Sequence, residues 1–479
     1  MKMFGQIKAL DRREEELIHQ TVLRIVDKVG MIIESREMLE RLAALGGKVD
    51  FGKMTVRFSP SFVEEFIASS DRFDWENIKP HVRAGADITP TYYLNPETNE
   101  FEKWRLDTIL RHLKVAHYLE HTKGMGNICY AVPLEGVPAE AELLFSHYLQ
   151  FKTGGTSSCS LNDIKWCPAI MEMCEAVAQE KGLKPASLCK GVHVHIINPL
   201  KLGAEEAKII MYFAERGLEI GIGNMSSAGG TAPVTLAGAV ALHLAQDIFI
   251  NIIKRVFFDR RNLILSGALS PMDMRSLMYP YARPEKMMSA VALSHMARRY
   301  GAEPIGHTGF TDAKRPGWES GFQKAFTSLP LLMICGRTSI DCGTLSVDEI
   351  FSPIQMILDN EIVSALKYYV QGFEINEDTL AYDVIAEIGP SGNFLNTGHT
   401  LEHFRAAQWE PKICSRDMFG SWIRAGAKID TDRALEIYRD IMQRPDLPPR
   451  VSEATERKLL EIIRETTGAV LQPVSLEVK

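Results

Sequence analysis

The chain has 479 residues, 46% of them hydrophobic and 24% charged, which is enough apolar material for a large core and ordinary for a globular protein. Its net charge of −7, with no long Lys/Arg cluster, argues against nucleic acid as a partner. Eight scattered cysteines without a C-x-x-C pair argue against a disulfide framework or a zinc knuckle, and fit a reducing cytoplasm.

The N-terminal stretch is densely charged from residue 11 and has no apolar core of signal-peptide length, so no secretory leader is expected. Asp11–Val29 predicts an amphipathic helix with Leu17, Ile18, Val22, Ile25 and Val26 on one face. A second helix is expected over Ser35–Leu45, then short strands at Lys48–Val49 and Thr55–Phe58. Ser59-Pro60 starts another helix, with proline in its first turn.

From about residue 120, short apolar runs alternate with longer amphipathic stretches. The runs are Met125–Val132, Gly155–Ser160, Leu188–Ile197, Leu218–Asn224, Leu263–Leu269, Glu303–Thr308, Leu331–Cys335 and Val384–Ile388. Eight strands, each followed by a helical stretch, predict a (β/α)8 TIM barrel. The expected division is a mainly helical region over 1–85, the barrel over 86–430, and a helical extension over 431–479. A doubly wound sheet is the alternative, but Ser226 stands where the third glycine of a dinucleotide fingerprint belongs. The longest apolar stretch, Val234–Ile253, carries His243, Gln246 and Asp247, which suits a buried helix better than a membrane span. Beyond Thr431, two helices split by Arg444–Arg450 either wrap the barrel or meet another subunit.

Several constellations can carry chemistry, and each also has a structural reading. His193 and His195 share one face of a strand, a spacing that can ligate a metal or pack within a barrel. His399 and His403 are four apart at a helix start, but Thr400 replaces the glutamate of a zincin motif. The loop Asn224–Gly238 is rich in small residues, including Ser226, Gly229 and Gly230, which permit close approach of a ligand or simply tight packing. His307, Asp312 and Lys314 crowd a strand end, where Asp312 and Lys314 can also pair to hold the loop. Arg337 and Asp341 follow the expected seventh strand; the arginine can grip a carboxylate or pair with Asp341. Tyr92, Tyr93, Tyr130, Phe310 and Trp318 lie near predicted loops or strand ends. Ring faces attract quaternary ammonium groups by ~0.5–2 kcal/mol each.

Taken together, several segments resemble the trimethylamine methyltransferase (MttB) superfamily along nearly the whole chain. They are the opening helix with its Val29-Gly30 turn, Tyr93–Glu100, Gly229–Gly238, Phe310–Lys314, Ile388–Leu395 and His399–Arg405. The founding members use pyrrolysine; this chain has only standard residues and looks like the branch without it, whose members act on quaternary amines such as betaines and carnitine. The resemblance implies a TIM barrel, with no tightly bound metal expected, that passes a methyl group to the Co(I) of a corrinoid (cobalamin) on a separate partner protein. It also suggests a homo-oligomer without membrane attachment. Tyr93, Tyr130 and Phe310, with His195, are the expected substrate cage, and Arg337 the carboxylate ligand. His307, Asp312 and His399 would shape the reacting centre, and Ser226, Gly229, Gly230 and Gly392 would face the corrinoid. The rivals are a zinc-dependent thiol or alcohol methyltransferase using His193, His195 and Cys159 or Cys335, and a non-catalytic betaine-binding protein.

Overall fold

A computed structural model of the chain describes residues 3–5, 8–87, 91–122 and 133–478. The apolar stretch after Pro233 becomes the 23-residue helix Leu236–Phe258. It is long and apolar enough to cross a membrane, but 78% of its most apolar window is buried inside the protein. Its polar residues explain themselves there. Asn224 donates to Asp247 (2.9 Å), Gln246 donates to Asn224 and Ser226 (3.1 and 2.9 Å), and His243 Nδ1 lies 2.9 Å from Ser226 Oγ. Burial pushes Asp247 up to about 7.

The opening helix, Arg12–Arg24, is held by a reciprocal cap between Asp11 and Glu14. It continues through a wider turn, Ile25–Val29, and stops at Gly30, whose φ of +82° and closeness to Val56 O leave no room for a side chain. The helices Arg36–Ala44 and Pro60–Ala68 start at Ser35 and Ser59, whose hydroxyls accept the N–H of Met38 and Phe62. A four-stranded sheet runs Lys48–Asp50, Thr55–Arg57, Met31–Ile33, Lys201–Leu202, so the N-terminal region shares a sheet with the central one.

The central region alternates parallel strands and helices. Ser158–Ser160, Gly191–His195 and Gly221–Gly223 form one parallel sheet. Ile264–Ser266 pairs with Glu303–Ile305, and Arg337–Asp341 with His81–Gly85, both in parallel. Five of the expected runs therefore contain strands, while Met125–Val132 lies outside the described residues. Two expectations are corrected. Leu331–Cys335 is the last turn of the helix Trp318–Cys335, and the strand starts only after Gly336, which caps that helix at φ +67°. Val384–Ile388 lies in the helix Tyr382–Ile388, which buries nothing. A five-residue apolar run fits a helix end as well as a strand, so periodicity alone could not separate them. Among the described residues the parallel strands fall into separate sheets and no closed ring is formed, so the fold class is mixed α/β.

One regularity crosses these sheets. In six of the parallel strands the side chains alternate between buried and partly accessible: Val192 and Val194 are buried while His193 and His195 are not, and Cys159, Ile222, Leu265, Pro304 and Ile340 are each buried between accessible neighbours. Successive side chains of a strand point to opposite faces, so one face of each of these strands is covered and the other is partly open.

The C-terminal helices wrap the chain's own helices. Asp430–Gln443 packs on Pro353–Gln371 and Leu106–Tyr118, and Glu453–Thr467 on Cys167–Lys181 and Glu142–Thr153. Between Pro353–Gln371 and Asp430–Gln443, residues 373–428 form an arm with four short helices, Glu377–Leu380, Tyr382–Ile388, Gly398–His403 and Phe419–Arg424, none of which has a buried residue. Its anchor is Glu361, whose carboxylate accepts the N–H groups of Lys412, Ile413 and Cys414.

Candidate active site

His195 and His307 stand at or just beyond the C-terminal ends of parallel strands. His195 closes the strand Gly191–His195, its ring 5.1 Å from that of His193. Its neighbour across the sheet is Gly223, where a Cβ would stand 2.5 Å from His195 Nδ1 and force the ring to shift. Burial, with His193 second, lowers His195 to about 4, so its imidazole is neutral.

His307 follows the strand Glu303–Ile305 and stacks on Phe310, ring centroids 4.5 Å apart. Tyr281 stands edge-on to His307 at 4.9 Å and against Phe310 at 4.6 Å. Lys286, on the helix Pro284–Tyr300, reaches into this group from below. Its Nζ lies 2.9 Å from His307 Nδ1, 4.5 Å from the Tyr281 ring centre and 5.5 Å from that of Phe310. Lys286 is fully buried, and burial lowers it to about 7 against the opposing pull of Asp312. Burial first, then Lys286 and His195, holds His307 far below the usual histidine range.

Asp312 fixes the loop geometry. Its carboxylate accepts the N–H groups of Tyr281 (2.7 Å) and Ala282 (3.2 Å), tying the Tyr281 segment to the Phe310 loop. Lys314 does not pair with that carboxylate; its Nζ donates to the Asp312 main-chain oxygen at 2.7 Å. Thr308 bonds Thr338 and the Ser339 oxygen (2.9 and 3.1 Å). Gly309, at φ +75°, lies so close to Ser339 O that a Cβ would stand 2.3 Å from it.

The structure thus brings together His195, His307, Phe310 and Asp312, and separates the others. Tyr93 is buried in a different aromatic group, 5.2 Å from Trp104. Tyr130 lies outside the described residues. Arg337 begins its strand rather than following one, so it sits at the opposite end from His307, paired with Glu303 and 5.2 Å over the Phe73 ring. Asp341 ends that strand, bonded by Thr344 at 2.9 Å. His399 and Gly392 lie on the arm. Ser226 is fully buried in the polar network under the helix Leu236–Phe258, whereas Gly229 and Gly230 reach the surface beside Met272 and Met274. Tyr92 and Trp318 line an outer groove of about 750 Å³ with Phe101 and Arg315. Lys103 and Arg315 already cover the Tyr92 and Phe101 rings there.

For the zinc alternative, among the described residues no third ligand stands with His193 and His195. Burial drives the Cys159 thiol strongly upward and Cys335 to about 11, opposite to what a metal-binding thiolate needs.

Lys286 and Tyr281 escaped the sequence reading. The signal was present in Tyr279-Pro-Tyr-Ala-Arg-Pro284, two tyrosines interleaved with two prolines just before a helix, shortly after the Leu263–Leu269 run. Nothing local marks Lys286 as buried.

The profile of the family described as trimethylamine methyltransferase (MTTB) matches residues 1–469. The chain is 25% identical to the trimethylamine methyltransferase MttB of Desulfitobacterium hafniense (strain DSM 10664 / DCB-2), covering 95% of this chain and 94% of that one. It is 26% identical to the glycine betaine methyltransferase of Desulfitobacterium hafniense (strain Y51), over 97% and 98% of the two chains. It is 27% identical to the trimethylamine methyltransferase MttB of Methanosarcina barkeri, over 53% and 51%. The chain therefore belongs to the trimethylamine methyltransferase (MttB) family and is a methyltransferase.

Proposed function

We propose that this protein takes a methyl group from a quaternary amine, betaine- or carnitine-like, and delivers it to a corrinoid on a separate carrier protein. The observation that carries the reading is the ring cluster of Tyr281, Phe310 and His307 at the C-terminal strand ends, with a buried amine already over two of the rings. Ring faces that hold an amine suit a quaternary ammonium, and strand ends are where α/β barrels keep their chemistry.

The parallel pairs are read as arcs of one (β/α)8 barrel, with His81–Gly85 among its strands. Ser266 reaches the Asn224 oxygen (3.3 Å) between the first two arcs, and Thr308 reaches Thr338 between the next two. The alternation of covered and accessible side chains supports the same reading.

A quaternary ammonium needs no activating adduct. The C–N bond pair stays on nitrogen, so the product leaves as a neutral tertiary amine without a proton transfer. When bound, the corrinoid supplies a strongly nucleophilic Co(I). The chain's residues orient and exclude water. Tyr281 and Phe310 present ring faces, neutral His195 and His307 add no positive charge, and Asp312 fixes the Tyr281 segment. Above pH 7 a neutral Lys286 adds no positive charge to the pocket. An apolar surface suits a flat apolar partner: Val234 and Met274, each about two-thirds exposed, stand against Gly229. These residues would receive the corrinoid.

The exposed apolar side chains of the arm, such as Leu395 and Leu401, support association of copies of the chain. Co(I) chemistry requires the reducing conditions of the cytoplasm.

The test is incubation with free cob(I)alamin and a panel of quaternary and tertiary amines, following Co(I) absorption and amine consumption by NMR. Loss of one quaternary amine with appearance of its tertiary product supports the reading. Consumption of no amine beside an active control enzyme overturns it.

A further inference from the structure

We propose that Asp378, His399 and His403 form a binding site for one divalent cation of zinc-like character, separate from the methyl-transfer pocket. The two histidines are four apart on the helix Gly398–His403, with ring centroids 4.3 Å apart. Asp378 comes from a different element, the helix Glu377–Leu380, and its Oδ2 lies 3.6 Å from His403 Nε2. One ligand atom from each of the three residues lies within 4.8 Å of the other two.

A zinc-like ion holds nitrogen and oxygen ligands at about 2.0–2.2 Å, so two ligands of a tetrahedral site stand about 3.4 Å apart. Asp378 and His403 already have that spacing, and small side-chain rotations close the rest. Two imidazoles and one carboxylate suit zinc, cobalt or nickel rather than magnesium or calcium. Three protein ligands leave a fourth position, which the exposure of Asp378 opens to water.

The arm gives the site a purpose. Its helices are four to seven residues long and bury nothing, and helices that short do not hold by themselves. Between Asp378 and His399 the chain passes through the helix Tyr382–Ile388 and the turn at Gly389-Pro390. A cation held at both ends of that excursion closes it into a loop, as structural metals do in small domains without a core.

The test uses the untagged full-length protein, titrated with Co2+ and read by its visible absorption, alongside limited trypsin digestion. One equivalent of Co2+ is expected, with slower cleavage after Arg405 when it is bound. His403→Gln and Asp378→Asn should each weaken binding by about tenfold or more, while His195→Gln, in the other close histidine pair, leaves it unchanged. All three residues keep surface exposure, so the variants fold, which circular dichroism confirms. Absence of Co2+ uptake by the wild type, or equal uptake by His403→Gln and wild type, overturns the proposal. Loss in His195→Gln instead also overturns it.

Discussion

Lys286 Nζ lies 2.9 Å from His307 Nδ1, and the same amine stands over the faces of Tyr281 and Phe310. A basic side chain inside an aromatic cluster makes the pocket's charge depend on pH within the physiological range. Lys286 is lowered to about 7 from an ordinary value near 10.5.

Protonated Lys286 repels a quaternary ammonium and occupies the ring faces, so activity should rise with pH. We expect kcat/KM for the amine substrate to increase through a midpoint near 7, and Lys286→Met to abolish that dependence. Stability moves the same way. The unfolded chain keeps its Lys286 proton up to about pH 10.5 while the folded chain releases it near 7, so folding loses stability at low pH and regains it between 7 and about 10.5. Thermal melts of wild type and Lys286→Met should converge as pH rises through that window.

Tyr281 and Phe310 each offer a ring face, worth ~0.5–2 kcal/mol to a bound cation. Phe310→Ala and Tyr281→Leu should each raise KM by roughly 2- to 30-fold on that basis, with kcat changed less. A KM equal to that of wild type in both variants would remove the cage from the mechanism.

Asp312→Asn should uncouple the loops. The carboxylate accepts two main-chain N–H groups, and the amide of asparagine turns one acceptor into a donor facing an N–H. A loss of about 1–3 kcal/mol is expected from denaturant unfolding. The amine of Lys286 also loses the charge that raises its pKa, so the midpoint of the activity profile moves below 7.

Lys324 and Asp359 form a fully buried pair at 2.5 Å, with further bonds from Lys324 to the Asp341 oxygen (2.7 Å) and to Asp359 from Gly343 N–H (2.8 Å) and Gln355 (2.7 Å). Removing one partner strands the other charge. Lys324→Met should destabilise by about 3–5 kcal/mol, and the double variant Lys324→Met/Asp359→Leu by less than that. Urea midpoints of the three proteins decide it.

Local chemistry was readable wherever it acts within a few residues. The caps at Asp11, Ser35 and Ser59 and five of the strands lie where their sequence signals stand. His81–Gly85 was missed because polar residues, His81 and Arg83, occupy its accessible face. Leu331–Cys335 misled because an apolar helix end and a short strand look alike.

By itself the sequence determined the family, the alternation of strands and helices, and the burial of the long helix through His243, Gln246 and Asp247, since each is written in periodicity, caps and motif order. Tertiary structure alone decided that Arg337 lies at the far end of its strand from His307, that Lys286 and Tyr281 join Phe310, and that His399 sits with Asp378 on an arm. Those relations join residues distant along the chain, and they arise from how helices close over the strands, which no local pattern encodes.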